Sequence, residues 1–195
     1  MYEYINGKLA SLEPTRAVID CGGVGYLLEI SLNTYDILSH TDTDQVSLLA
    51  HEVVREDAHL LYGFADEAER AMFRLLIEVN GVGVQTARVM LSSMTVDELT
   101  SAIAEQNIKK IQKVKGIGAK TAQRIVIELA DKVGAAAVRS GSAATTVAIS
   151  QQQDEASVAL TMLGFPKNAV DKVLGSGSWS GMTVEEIIKE ALKRL

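Results

Sequence analysis

Two ten-residue stretches of this 195-residue chain have the composition of an anion cradle. The first is Val79-Asn80-Gly81-Val82-Gly83-Val84-Gln85-Thr86-Ala87-Arg88, and the second is Val114-Lys115-Gly116-Ile117-Gly118-Ala119-Lys120-Thr121-Ala122-Gln123. They align without a gap at an offset of 35 residues and share Val, both Gly, Thr and Ala. Helix-like apolar runs flank each copy, which predicts a helix, a tight Gly-x-Gly turn and a second helix. Glycine permits positive φ and lets another backbone or ligand come close. The second helix starts just past the second Gly, so its first N–H groups lack intrahelical partners. Those donors, with the positive end of the helix dipole, suit a phosphate. Val82 and Ile117, held between the glycines, can turn inward and anchor each turn.

A phosphate bound in this way carries no base information, so recognition of nucleic acid here is expected to be independent of sequence. A single Gly-x-Gly can equally do no more than join two packed helices. Two copies sharing Thr-Ala, with Lys120 in the second, match the helix-hairpin-helix DNA-binding motif.

Net charge is −6, which at first argues against a polyanionic partner, but the charges are unevenly placed. Residues 1–64 carry three basic against ten acidic side chains, residues 65–133 ten against nine, and residues 134–195 six of each. Lys109, Lys110, Lys113, Lys115, Lys120 and Arg124 follow one another with no acid between them, around the second Gly-x-Gly turn. That is where phosphate neutralisation needs them.

The elements that must position these groups follow from the pattern. Residues 1–63 alternate as short strands: Tyr2 to Leu9, Arg16 to Asp20, Gly25 to Ile30, Val46 to Val54 and His59 to Phe64. Cys21-Gly22-Gly23-Val24 marks a hairpin. Leu32 to Leu38 fits a short helix or a loop. Such strands suit a small barrel of the oligonucleotide-binding (OB) type. Its acidity makes it a poor single-strand binder of the usual basic and aromatic kind. The turn Arg55-Glu56-Asp57-Ala58 lacks the Gly or Asn that a tight hairpin prefers. Its adjacent acids read either as solvated turn residues or as a projecting negative feature.

Five helical segments are expected over 66–133, with capping-box spacing at Asp66/Glu69 and Thr95/Glu98, the last segment ending at Gly134. Residues 134–153, rich in Ala, Ser, Thr, Gly and Gln with Arg139 the one charge, read as a flexible linker. Three short helices are then expected, Glu155 to Leu163, Lys167 to Leu174 and Val184 to Leu195, with a capping box at Thr183/Glu186. They would form a minimal bundle with Trp179 in its core, the size of a docking module.

Enzyme signatures come near and fail. Ala119-Lys120-Thr121 lacks the glycine a phosphate loop requires, and Arg55 stands where His51-Glu52 would need a second histidine. Three histidines and Cys21 offer no metal cluster, and no metal or cofactor is expected. One cysteine, no apolar run of ~18 residues and an N-terminus unlike a signal peptide suit a cytoplasmic protein outside membranes.

An acidic barrel, paired hairpins, a linker and a terminal bundle, in that order, resemble the bacterial RuvA family, the Holliday-junction-binding subunits of RuvAB branch-migration complexes. The stretches that carry the resemblance are His51-Glu52-Val53-Val54-Arg55-Glu56-Asp57-Ala58-His59-Leu60-Leu61-Tyr62-Gly63-Phe64, Asn80-Gly81-Val82-Gly83 and Gly116-Ile117-Gly118-Ala119-Lys120-Thr121-Ala122-Gln123-Arg124. The resemblance implies an α+β multidomain chain: an OB-fold barrel over 1–64, a tandem helix-hairpin-helix domain over 65–133, a linker over 134–153 and a three-helix bundle over 154–195. It implies a homotetramer, one or two per four-way junction, with DNA phosphates held at Asn80, Gly81, Gly83, Gln85, Lys115, Gly116, Gly118, Lys120, Thr121 and Arg124. Glu56 and Asp57 become an acidic pin at the junction centre, repelling phosphates. Residues 154–195 become the dock for the RuvB motor ATPase, with a junction resolvase as a further partner and with roles in recombination, DNA repair and the SOS response. The chain itself would hydrolyse nothing. Two departures stand out: Val84-Gln85 where the family commonly has Pro-Lys, and Lys115 where it usually has Pro. Other readings are a helix-hairpin-helix nuclease or lyase and a general duplex-binding adaptor.

Overall fold

The computed structural model describes residues 1–140, 147–177, 179 and 182–195. The chain divides into two compact units, Met1–Arg139 and Ser140–Leu195.

The first unit opens with a closed barrel. Strands β1 (Tyr4–Glu13), β2 (Arg16–Asp20), β3 (Gly25–Ile30), β4 (Gln45–Val54) and β5 (His59–Phe64) close in the order β1-β2-β3-β5-β4. All pairs are antiparallel except β3 with β5, which run parallel over Leu28–Ile30 and Leu61–Gly63. Alternating inward residues fill the interior, among them Ile5, Ile19, Leu28, Ile30, Val46 and Leu48. Gly63 is fixed by this packing, because a Cβ there would meet Leu28 and Leu48 side-chain atoms at 2.9 and 3.0 Å. The first strand runs further than the alternation predicts. Its register shifts between Leu9 and Ser11, a bulge that breaks the period of two, after which Ser11–Glu13 go on pairing with Arg16–Val18.

Leu32–Ser39 form helix α1, capped by Ser31, whose hydroxyl accepts from the Thr34 N–H at 3.0 Å. Helices α2 (Glu67–Glu78), α3 (Val84–Ser93), α4 (Val96–Ala104), α5 (Ile108–Gln112) and α6 (Ala119–Ser140) follow. One apolar core runs from Tyr62 and Phe64 of β5 through Phe73, Leu76, Met90, Leu91, Leu99, Ile103, Ile111, Ile125 and Leu129. Phe73 is its node, fully buried, with ring centroids 5.2 Å from Tyr62, 4.9 Å from Phe64 and 5.4 Å from His51. Barrel and hairpins therefore share a core within one unit.

Thr95 and Glu98 form the full capping box that their spacing predicts. Asp66 caps α2 by accepting from the Glu69 N–H at 2.8 Å, but the Glu69 carboxylate does not reach back. It is buried against α1, accepting from the hydroxyls of Ser31 and of Thr34 (2.6 Å to the latter).

Helix α6 does not stop at Gly134 but continues to Ser140. A glycine in a helix costs about 1 kcal/mol, and the Ala135-Ala136-Ala137 that follow favour helix enough to carry it through. Helix α7 (Val147–Met162) likewise starts ahead of Glu155, through a glutamine run that holds no helix breaker. Residues 141–146 of the expected linker lie outside the described residues.

The second unit holds α7, α8 (Lys167–Ser176) and α9 (Val184–Leu192) around Ala156, Leu160, Val170, Leu174, Trp179, Ile187 and Ala191. Trp179 is a core residue, as expected. Its indole N–H donates to the Leu174 carbonyl at 2.7 Å and Arg194 lies over its ring. Thr183 and Glu186 complete a capping box. Among the described residues no helix is long and apolar enough to cross a membrane.

Candidate nucleic-acid interface

The two hairpins, α2–α3 and α5–α6, have matching turns. Gly81 has φ +92° and Gly116 has φ +90°, a conformation open to glycine and strained for other residues. The Val82 N–H donates to the Val79 carbonyl at 3.0 Å, and the Ile117 N–H to the Val114 carbonyl at 3.1 Å. Ala87 bonds back to Gly83, and Ala122 to Gly118, both at 2.9 Å. Val82 and Ile117 are buried in the helical core, so each turn is pinned from below.

Gly83 caps α3 with ordinary extended angles, φ −87° and ψ 167°, so backbone conformation does not demand glycine there. Chain packing does not demand it either: a Cβ added at Gly81, Gly83, Gly116 or Gly118 would meet nothing within 4 Å. All four face open space. The N–H groups of Val84, Gln85 and Thr86, and of Ala119, Lys120 and Thr121, precede the first intrahelical bond of their helices. Two N–H cradles, each at a helix N-terminus, are thus presented side by side.

The second hairpin brings the charge. Lys109, Lys113, Lys115 and Lys120 are exposed and Lys110 half-buried. In this helical region Arg70, Arg88 and Lys132 have carboxylate partners. Among the described residues the five lysines have none within 4 Å. Arg124 reaches across to the first hairpin, donating to the Asn80 carbonyl at 3.3 Å and to its side-chain oxygen at 3.4 Å. Asn80 and Arg124, both expected at phosphates, meet each other and join the two turns. Thr121 is half-buried on the first turn of α6.

Gln85 is engaged from within the chain. Its carbonyl accepts from Arg88 at 2.9 Å and its amide donates to the Tyr62 hydroxyl at 3.3 Å. Its second amide hydrogen has no partner among the described residues.

The acidic turn lies at the tip of the β4–β5 hairpin. β4 pairs with β1 only as far as Leu49, and β5 pairs with β3 only from Leu61, while β4 and β5 pair with each other out to Val54 and His59. The hairpin therefore extends beyond both neighbouring strands by Val53–Val54 and His59–Leu60, roughly 7 Å of strand, with the Arg55–Ala58 turn at its end. Val53 and Leu60 brace it on the helical core. At its base His51 is half-buried, and burial with the nearby Arg74 and Arg70 holds its imidazole below the usual range. The tip closes with the Arg55 N–H donating to the Ala58 carbonyl at 2.8 Å, and Arg55, Glu56 and Asp57 are exposed.

Residue patterns do not report that Arg88 reaches Glu29 of β3 or that Gln85 reaches Tyr62 of β5. Arg88 stands at the end of the first repeat, where the second copy has Gln123, and that difference was the one available signal.

Comparison with known proteins agrees with this layout. The RuvA N-terminal domain model matches residues 1–63, the SAM-like helix-hairpin-helix tandem model matches 73–131, and the RuvA C-terminal domain model matches 151–195. Proteins named Holliday junction branch migration complex subunit RuvA are similar over the whole length of both chains. Those of Bacteroides thetaiotaomicron and Christiangramia forsetii are 45% identical, and that of Flavobacterium psychrophilum 44%. With three domain models matched in order and relatives this similar from end to end, the chain belongs to the RuvA family.

Proposed function

We propose that this chain binds four-way junction DNA by shape and recruits a RuvB-type ATPase that drives branch migration in recombination and repair. The observation that carries this reading is the pair of matched hairpins, whose four glycines face open space beside five lysines free of carboxylate partners among the described residues. Such a surface grips the backbone of a duplex without reading bases. Phosphates are held at Asn80, Gly81, Gly83 and Gln85 in the first turn, and at Lys115, Gly116, Gly118, Lys120, Thr121 and Arg124 in the second.

Selectivity comes from the acidic turn. Four copies form a square platform, one or two platforms to a junction, with the Glu56-Asp57 tips at the centre where the strands part. Repulsion there disfavours an unbranched duplex and so trades affinity for discrimination. The division of labour follows the chain: barrel and tip over 1–64, grip over 65–133, tether over 134–153, motor dock over 154–195. Exposed Met162 and Leu163, at 84% and 61%, give the last region apolar surface for a partner. A junction resolvase docks on the same complex, in the cytoplasm. The chain carries no catalytic residue, and ATP hydrolysis belongs to the motor.

The test is competition binding of a labelled four-way junction against linear duplex, together with incubation of both DNAs with the chain and Mg²⁺ alone. Preference for the junction with intact DNA is the expected result. Equal affinity would make the chain a general duplex adaptor, and strand cleavage would make it a nuclease.

A further inference from the structure

The first hairpin is tied to the barrel by a continuous run of polar contacts that phosphate binding does not require. On β3, Glu29 accepts from Arg16 at 3.2 Å through one oxygen and from Arg88 of α3 through the other. Arg88 also donates to the Thr15 carbonyl at 3.2 Å and to the Gln85 side chain at 2.9 Å. Gln85 passes the contact on to Tyr62 of β5, five residues after Asp57. The ion pair is mostly withdrawn from water, Glu29 being 14% and Arg88 18% exposed. At the far end of α3, Asn33 donates to the Leu91 and Met94 carbonyls at 2.6 and 3.2 Å, and the Leu32 N–H to the Ser92 hydroxyl at 3.1 Å. Helix α3 is therefore fastened to the barrel through Arg88 and Gln85 and to α1 at its far end. Among the described residues, the polar side-chain contacts from α6 go to α2 and to the first turn, Lys132 to Glu78 and Arg124 to Asn80.

The two hairpins thus differ in kind: among the described residues the second has an excess of basic charge and no polar side-chain tie to the barrel, whereas the first has the tie and acids that balance its bases. We propose that Glu29 and Arg88 are positioning residues that fix the first hairpin against the acid-tipped β4–β5 hairpin, and so determine preference for branched over linear DNA rather than overall affinity. This rests on the junction-binding reading above. A partly buried pair suits the task, because removing one partner strands the other charge and frees the helix. Arg88 is also irreplaceable by Lys in this role, since a planar fork alone serves Glu29, Thr15 and Gln85 together.

The experiment measures junction and duplex dissociation constants and their salt slopes for Arg88→Lys, Glu29→Gln and Tyr62→Phe. The last variant removes one hydroxyl and keeps the ring packed on Phe73. Positioning predicts that Arg88→Lys and Glu29→Gln each cut the duplex-to-junction ratio of constants by about three- to ten-fold, the worth of one such contact. It predicts a smaller fall for Tyr62→Phe and unchanged salt slopes for all three. If Arg88 were instead a phosphate ligand, Arg88→Lys would bind like the native chain and Glu29→Gln would tighten both DNAs equally; either result overturns the proposal. A native chain with no junction preference sinks the junction-binding reading instead. Spin labels at Arg55→Cys and Val89→Cys in a Cys21→Ser chain, diluted into unlabelled protein, then decide the positioning claim. Arg88→Lys should broaden their distance distribution, and an unchanged width contradicts it.

Discussion

At the scale of single residues, the four hairpin glycines divide into two kinds. Gly81 and Gly116 hold positive φ, whereas Gly83 and Gly118 do not, and all four face open space. Gly81→Ala is expected to lower stability by about 1–2 kcal/mol through backbone strain alone. Gly83→Ala and Gly118→Ala should change stability by no more than about 1 kcal/mol, since the unfolded chain loses freedom while alanine caps a helix less well than glycine. Both should weaken DNA binding, because the new Cβ occupies the ligand's approach. Urea melts beside anisotropy titrations separate the two effects, and a stable Gly118→Ala that binds DNA fully would remove that glycine from the interface. Lys120→Ala should weaken junction binding by about 1–3 kcal/mol. It should also reduce the salt slope by about one unit, and an unchanged slope would take Lys120 out of phosphate contact. The paired turns were legible in the sequence because the hairpin is a local motif repeated at a fixed offset.

At the scale of elements, legibility depended on whether the deciding contact was local. β2, β3 and β5 fall where turn residues bound them, and Thr95/Glu98 caps as spaced. The Glu69 carboxylate does not, because hydroxyls on Ser31 and Thr34 of α1, over thirty residues away, compete for it and win. The Arg88–Glu29 link likewise joins residues 59 apart, a separation that no periodicity reports. Helix α6 outran its expected stop because one glycine is a weak breaker beside three alanines. The Glu69 site has a pH consequence. Burial pushes its carboxyl above the ordinary value, the hydrogen bonds from Ser31 and Thr34 pulling the other way, and Asp66 adds repulsion. With a folded value above the unfolded one, the neutral form is favoured in the fold. The resulting stability is fully present below the unfolded carboxyl's range and is lost as pH rises through the folded value. Glu69→Gln, which stays neutral, should therefore gain stability relative to the native chain as pH rises from about 4.5, the ordinary carboxylate value. Urea midpoints measured between acidic and neutral pH would show it, and a difference that does not change with pH would contradict the assignment.

At the scale of the whole molecule, the proposed function assigns separable tasks to the two compact units, and a chain ending at Ser140 keeps both cores of the first unit. That truncated chain is expected to bind junctions with native affinity and to lose stimulation of a RuvB-type motor in a branch-migration assay. Normal stimulation would take the docking role away from residues 154–195. Under the proposed function opposite charges are sorted to opposite tasks: lysines around the hairpins hold DNA, and the two carboxylates at the β4–β5 tip select its shape. The tip is exposed and braced by Val53 and Leu60 rather than by its own acids, so neutralising it should leave the fold alone. The most direct measurement is the ratio of linear-duplex to junction dissociation constants for Glu56→Gln with Asp57→Asn, taken beside the native chain at one salt concentration. Duplex binding should tighten more than junction binding, narrowing the ratio with the melting temperature unchanged. A ratio equal to that of the native chain would contradict it and leave Glu56 and Asp57 as solvated turn residues.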